Sequence, residues 1–339
     1  QLRVVRLIVR ESHGTWPSLP AKQMKPACFS AATSMPLIVE WLPPLLSSVH
    51  LKHGSDLISR PRSVGYDEAA VIQRSLCDNH VAVAVPTLAR GPRRVPSLPF
   101  AVALAETLPP SCGSVLLHHR ARDFDVSGLR QHLQDHQDAY RQLHGVLVVY
   151  GDPPRPGCPA VESPCLAKDA IECFTRAGVR CGGAVNMCSL DPLMAASEAR
   201  RMTDKLEAGA SFIVSQPVLD ASLAHSFLQA WRDDNPSLLS NIKSPFLYVG
   251  LLAPTSVDSL KFFVRRVGVP AARHVLARLV RSERRGQGDA LDDLNVSTFV
   301  HLSGHFRDIV AGVYLTSGAS RDVSRVARLL PRLRESLSL

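Results

Sequence analysis

The sequence predicts a (β/α)8 barrel of the TIM type, on three observations. Short apolar runs with strand character occur eight times, at Leu37–Val39, Val81–Val85, Ser114–Leu117, Val146–Val149, Arg180–Val185, Phe212–Val214, Phe246–Val249 and Ile309–Leu315. Helix-compatible stretches separate them, as at Ser127–Gln142, Leu193–Glu207, Ser222–Arg232 and Ser256–Val267. The 339 residues, 45% of them hydrophobic, are enough for one large core. Alternation of strand and helix argues a parallel sheet, and eight units argue its closure. An open doubly wound sheet is the alternative, but no G-x-G-x-x-G follows any strand.

Taken in order, residues 1–35 form a basic N-terminal extension and residues 36–335 the barrel. The extension carries Arg3, Arg6, Arg10, Lys22 and Lys25 against one acid, Glu11. That composition suits an organellar transit segment or a basic arm and favours a mitochondrial location. The first strand runs into Glu40, in V-E-W-L-P-P. After the second, Pro86 to Pro110 is proline-rich and basic, and reads as a surface loop or partner contact. The third leads to His118 and His119, the fourth to Asp152 in V-Y-G-D-P-P, and the fifth to Asn186. Lys205–Glu207 then closes a helix, Gly209 suits the left-handed turn after it, and Phe212-Ile213-Val214 reads as a fully buried parallel strand. Gln216 emerges at that strand's carboxyl end. Ser282 to Asp293 reads as a charged, glycine-broken linker, and Thr316 follows the eighth strand.

In a barrel these strand-end residues converge at one mouth, where such folds place their chemistry. A glutamate and an aspartate beside a histidine and an amide can support proton transfer around an organic ligand. Glu40, between an apolar strand and two prolines, is partly desolvated on this reading. Desolvation raises its pKa and suits it to general acid work. The plain alternative is a strand-end glutamate paired with an arginine. Asp152 has a plain alternative too, because Gly-Asp-Pro is turn chemistry.

Formal net charge is +9, with arginine spread along the chain. A basic balance favours an acidic partner or a large assembly. RNA contact rests on charge alone, because no RNA-recognition motif or basic–aromatic pattern is present. Five of the eight cysteines lie between Cys158 and Cys188, yet none forms a C-x-x-C pair, so they predict buried thiols rather than a zinc site. No apolar run is long enough to span a bilayer as a helix.

Together these motifs resemble the catalytic barrel of the methylenetetrahydrofolate reductase family, from about Leu37 to Leu330. V-E-W-L-P-P is similar to that family's F-E-F-F-P-P, and L-V-V-Y-G-D-P-P to its A-L-R-G-D-P-P. K-L-E-A-G-A-S-F-I-V-S-Q is similar to K-x-x-A-G-A-D-F-x-x-T-Q. L-H-H-R-A stands where the family has P-H-L-T-C, and V-G-L-L-A-P-T resembles P-G-I-L-P-V. The resemblance implies Glu40 as general acid, Asp152 as the residue tuning a flavin, and Gln216 near flavin and folate. It also implies His118 and Lys205 as flavin contacts, with FAD as cofactor, NAD(P)H as donor and a folate as substrate.

The departures fall in the flavin pocket. Tyr150 stands for the arginine of R-G-D, Met187 and Asp191 for the tyrosine and histidine of Y-P-E-G-H-P, and Asp204 for an arginine before the helix lysine. An anion beside a diphosphate is unfavourable. Thr87 is out of register with the family's threonine, and only Arg321 is near its closing L-N-R motif. Two expectations follow. One is an eroded barrel, with or without bound FAD, retained as a structural subunit of a large mitochondrial assembly. The other is an active FAD-dependent reductase of methylenetetrahydrofolate.

Overall fold

The computed structural model describes residues 37–40, 81–86, 97–107, 114–151, 161–254, 257–267, 269, 273–285, 289–316 and 323–337. The basic extension, the Arg90–Arg94 stretch, Thr87, Asp152 and Arg321 lie outside them. Eight strands, β1 Leu37–Glu40, β2 Val81–Val85, β3 Val115–Arg120, β4 Gly145–Val149, β5 Cys181–Val185, β6 Phe212–Pro217, β7 Leu247–Leu252 and β8 Val310–Thr316, close in sequence order. Every pairing is parallel, and β1 pairs β8 to complete the ring. The closed barrel that the alternation predicts is therefore present.

Around it run α1 Ser97–Thr107, α2 Val126–Asp135, α3 Gln137–Arg141, α4 Ala167–Arg176, α5 Pro192–Glu207, α6 Ala221–Asp234, α7 Pro236–Asn241, α8 Val257–Phe262, α9 Arg273–Arg284, α10 Ala290–His305 and α11 Val323–Leu337. Starts follow capping chemistry. Asp125, Asp191 and Asp220 each accept a backbone N–H from the first turn of α2, α5 and α6. Gly209, beyond α5, takes the left-handed turn at φ 99°. Among the described residues, no helix is long and apolar enough to cross a membrane.

Three expectations need correction. The proline-rich stretch read as a loop contains α1, because prolines near a helix start replace donors that have no partner there anyway. The expected linker at Ser282 to Asp293 is shorter than predicted: α9 runs to Arg284 and α10 begins at Ala290. β3 also continues past Leu117 to Arg120, since His118, His119 and Arg120 pair with Leu147, Val148 and Val149. Polar side chains do not stop a strand whose backbone ladder continues.

The barrel interior holds Ile38, Ala82, Ala84, Leu116, Leu147, Phe212, Val214, Tyr248 and Tyr314, packed as one cluster. Its floor is closed by His144, Arg180, Phe212 and Tyr248, with the Arg180 guanidinium 5.4 Å from the Phe212 ring centre. The outward faces of the strands join the helices in a larger cluster that includes Trp231, Phe174 and Phe299. Burial on both strand faces explains why the strands read as continuous apolar runs.

Candidate functional site

Side-chain alternation sets what faces the mouth. Ile38, Leu116, Val214 and Tyr314 fill the interior, so Glu40, His118, Gln216 and Thr316, each two residues further on, continue the inward face at the strands' carboxyl ends. Glu40 and His118 are half-buried at the carboxyl ends of their strands. Tyr314 joins them. Its hydroxyl lies 2.7 Å from His118 Nε2 and donates to Glu40 Oε2 at 3.4 Å. Thr316, on the strand beside Glu40, also hydrogen-bonds that carboxylate.

The electrostatics of this line follow from burial. Desolvation pushes the Glu40 carboxyl up from 4.5 to about 7, although the Thr316 and Tyr314 bonds pull it down. The same cause lowers His118 to about 4 and leaves its imidazole neutral at neutral pH. Burial and the neighbouring Glu40 raise the Tyr314 phenol well above its ordinary value. A tyrosine has one proton to give. When it goes to the Glu40 carboxylate, His118 must donate from Nε2–H to the phenol oxygen. When Glu40 is protonated, the direction can reverse, with Glu40 giving to Tyr314 and Tyr314 to His118. The three side chains form a reversible proton line ending at the Glu40 carboxyl.

Gln216 is exposed on the same rim, held there by an irregularity in β6. Ser215 Oγ accepts the Gly250 N–H at 2.7 Å and donates to the Gln216 carbonyl at 2.9 Å. A side chain at 250 would collide with the 215–216 backbone, because its Cβ would fall 2.3 Å from the Ser215 oxygen. The close approach of β7 therefore sets how Gln216 is presented. Asn186, past β5, is occupied locally: its Oδ1 accepts the Cys188 N–H at 3.1 Å and its own N–H goes to Glu198.

Lys205, the flavin contact that the resemblance implies, packs into the protein. It is buried between α5 and β5, its stem over Gly183 and its Nζ donating to the Ala184 carbonyl at 2.5 Å. Desolvation lowers its pKa. Asp191 caps α5 through the Leu193 N–H at 2.9 Å, and Met187 is buried. At the end of β4 the Arg122 guanidinium lies 5.0 Å from the Tyr150 ring centre and reaches the Gly151 carbonyl at 3.4 Å. Gly151 is left-handed (φ 87°), and a Cβ there would meet Arg120 Nε at 2.7 Å, so only glycine fits this turn. Arg120 pairs with Asp123 at 3.2 Å.

The structure thus brings Glu40 and His118 into one line and sets Gln216 on the same rim, while Lys205 faces the helical layer. Tyr314, the bridge, is the residue that sequence reasoning missed. It was legible as the inward position two residues before Thr316, hidden by its reading as part of an apolar strand.

No family model matches the sequence, and no curated protein matches it either. Among solved structures, the chain is similar to an uncharacterized protein from Clostridium thermocellum that binds two copies of 5-methyl-5,6,7,8-tetrahydrofolic acid. The TM-score is 0.62 at 13% identity, over 89% of this chain and 96% of that one. At that identity the likeness carries the fold.

Proposed function

We propose that this barrel binds a reduced folate at the carboxyl ends of its strands, with Glu40 as the group that meets the pterin. The carrying observation is the Glu40–Tyr314–His118 line at the mouth. A carboxyl poised near pH 7 can accept from the amino–amide N–H fork of a pterin or donate to a ring nitrogen, and its two bound partners hold it in place. The likeness to a structure that binds 5-methyltetrahydrofolate supports the same ligand class.

The residues that would hold FAD do not fit its diphosphate. Lys205 spends its ammonium on Ala184, Tyr150 stands where a cation is expected, and Arg122 is engaged by Tyr150 and Gly151. This supports an eroded flavin pocket and a role in binding or structure rather than flavin-dependent reduction. The basic extension and the net charge of +9 support the wider part of the proposal, a mitochondrial subunit of a larger assembly. Fractionation and native electrophoresis of an organelle extract check it; a free monomer outside mitochondria would overturn that part.

Titration of the full chain with 5-methyltetrahydrofolate, followed by calorimetry, tests the central claim. Glu40→Gln keeps the shape but loses the titrating proton, and affinity should fall by about 10-fold or more, the scale of a lost charge-assisted hydrogen bond. Absence of binding by the unmodified chain would sink the reading. The second reading, an active FAD-dependent reductase using NAD(P)H, is favoured by the raised Glu40 carboxyl, which suits general acid work. A stoichiometric flavin spectrum in the gently purified protein would select it.

A further inference from the structure

From the helical jacket, outside the barrel mouth, we infer a divalent transition-metal site formed by His225 on α6 with His301 and His305 on α10. The candidate ligand nitrogens of these three imidazoles all lie within 4.8 Å of one another. His301 Nε2 and His225 Nδ1 are 3.1 Å apart. Two imidazole nitrogens on a tetrahedral Zn2+, at about 2.0–2.1 Å each, stand about 3.3 Å apart, so this pair is already spaced for one ion. His301 and His305 are four residues apart on one helix, which puts both rings on the same face, and their ring centres are 4.5 Å apart.

The third imidazole is prepared by its own backbone. His305 Nδ1 lies 2.8 Å from the His301 carbonyl, which can only accept, so Nδ1 carries the proton and Nε2 keeps a free lone pair. Fixing a ring's tautomer through a backbone carbonyl is how ligand histidines are held elsewhere. His225 is steadied by Phe306, whose ring centre is 5.1 Å away. His305 is exposed, so a fourth position is left for water.

The donor set selects the class of ion. Three neutral imidazoles and no carboxylate suit Zn2+, Cu2+ or Ni2+ and not Mg2+ or Ca2+, which need oxygen. Arg232 donates to the His305 carbonyl at 3.5 Å and places a positive charge nearby, which disfavours any cation held by charge alone. An ion here would tie α6 to α10, the helix that leads into β8.

The probe is Co2+ on the metal-free full chain, followed by Zn2+ competition. One Co2+ per chain should bind with the strong visible bands of a low-coordinate ion, and Zn2+ should displace it and raise the thermal midpoint. His301→Ala and His305→Gln should each weaken Zn2+ binding by about 10-fold or more and abolish the thermal shift. Because His305 is exposed, its glutamine variant tests the site even where the alanine variant misfolds. Affinity unchanged in the glutamine variant overturns the inference. So do the faint bands of octahedral Co2+, or a thiolate charge-transfer band that would put the ion on cysteine.

Discussion

Glu40 decides most of what the mouth can do, and its protonation makes that testable. Its folded carboxyl titrates near 7 against 4.5 for the ordinary group. Between those values the folded chain holds a proton that the unfolded chain has lost. The resulting stability is complete below pH 4.5 and disappears as pH rises through 7, at most about 3 kcal/mol for a fully enclosed group and less for a half-buried one. Glu40→Gln should remove that part of the pH dependence, read as the urea midpoint of variant and parent at pH 5 and pH 8. An unchanged difference would mean that Glu40 does not titrate in this range. Tyr314→Phe tests the line itself. It removes the phenol between His118 and Glu40 and leaves ring packing intact, so the carboxyl loses a bond that favoured its charged form and its pKa should climb further. A carboxyl titration followed by infrared difference spectroscopy reads that shift.

At the level of elements, the final turn of the barrel is held by polar contacts that no sequence pattern announced. Arg325 on α11 pairs with Asp292 on α10 at 2.8 Å, both buried, and donates to the Pro254 carbonyl at 2.6 Å. Asn295 on α10 donates to the Leu252 carbonyl at the end of β7. Arg325→Ala leaves Asp292 charged and buried and should cost about 3–5 kcal/mol, seen as a lowered denaturant midpoint. Arg325→Met with Asp292→Leu removes both charges and should recover most of it. If the double variant is as unstable as the single one, packing rather than charge carries the loss. These contacts also mark where legibility ended. Strands β1 to β8 showed in the sequence because burial on both faces writes itself as apolar runs. Glu40, His118 and Gln216 showed because they close such runs. The direction in which Lys205 points, and the pairing of Arg325 with Asp292, depend on helix–strand packing across long separations, which no local pattern encodes. α1 was hidden by its prolines.

The whole molecule carries a second pH response, opposite in sign to that of Glu40. His119 is buried on the outward face of β3, stacked against Phe124 at 5.3 Å and edge-on to Phe174 at 4.9 Å. Burial lowers it from 6.5 to about 3; His118, His132 and His144 are likewise lowered to about 4. For each, the unfolded chain takes up a proton first as pH falls below 6.5, so stability present above 6.5 is lost toward the folded value. The slope is about 1.4 kcal/mol per pH unit for each fully separated histidine. Among the described residues the lowered histidines, His301 included, outnumber the raised carboxyls Glu40 and Asp123, so the sum follows the histidines and the protein should be less stable at pH 5 than at pH 7. His119→Phe checks the most strongly shifted of them, because the niche is already aromatic and Tyr140 keeps His132 as a partner at 3.1 Å. The variant should match the parent's urea midpoint at pH 7 to within a small margin and exceed it at pH 5. Equal midpoints at pH 5 would show that the acid response arises elsewhere, and would turn attention to His132 and His144 at the helix and floor positions.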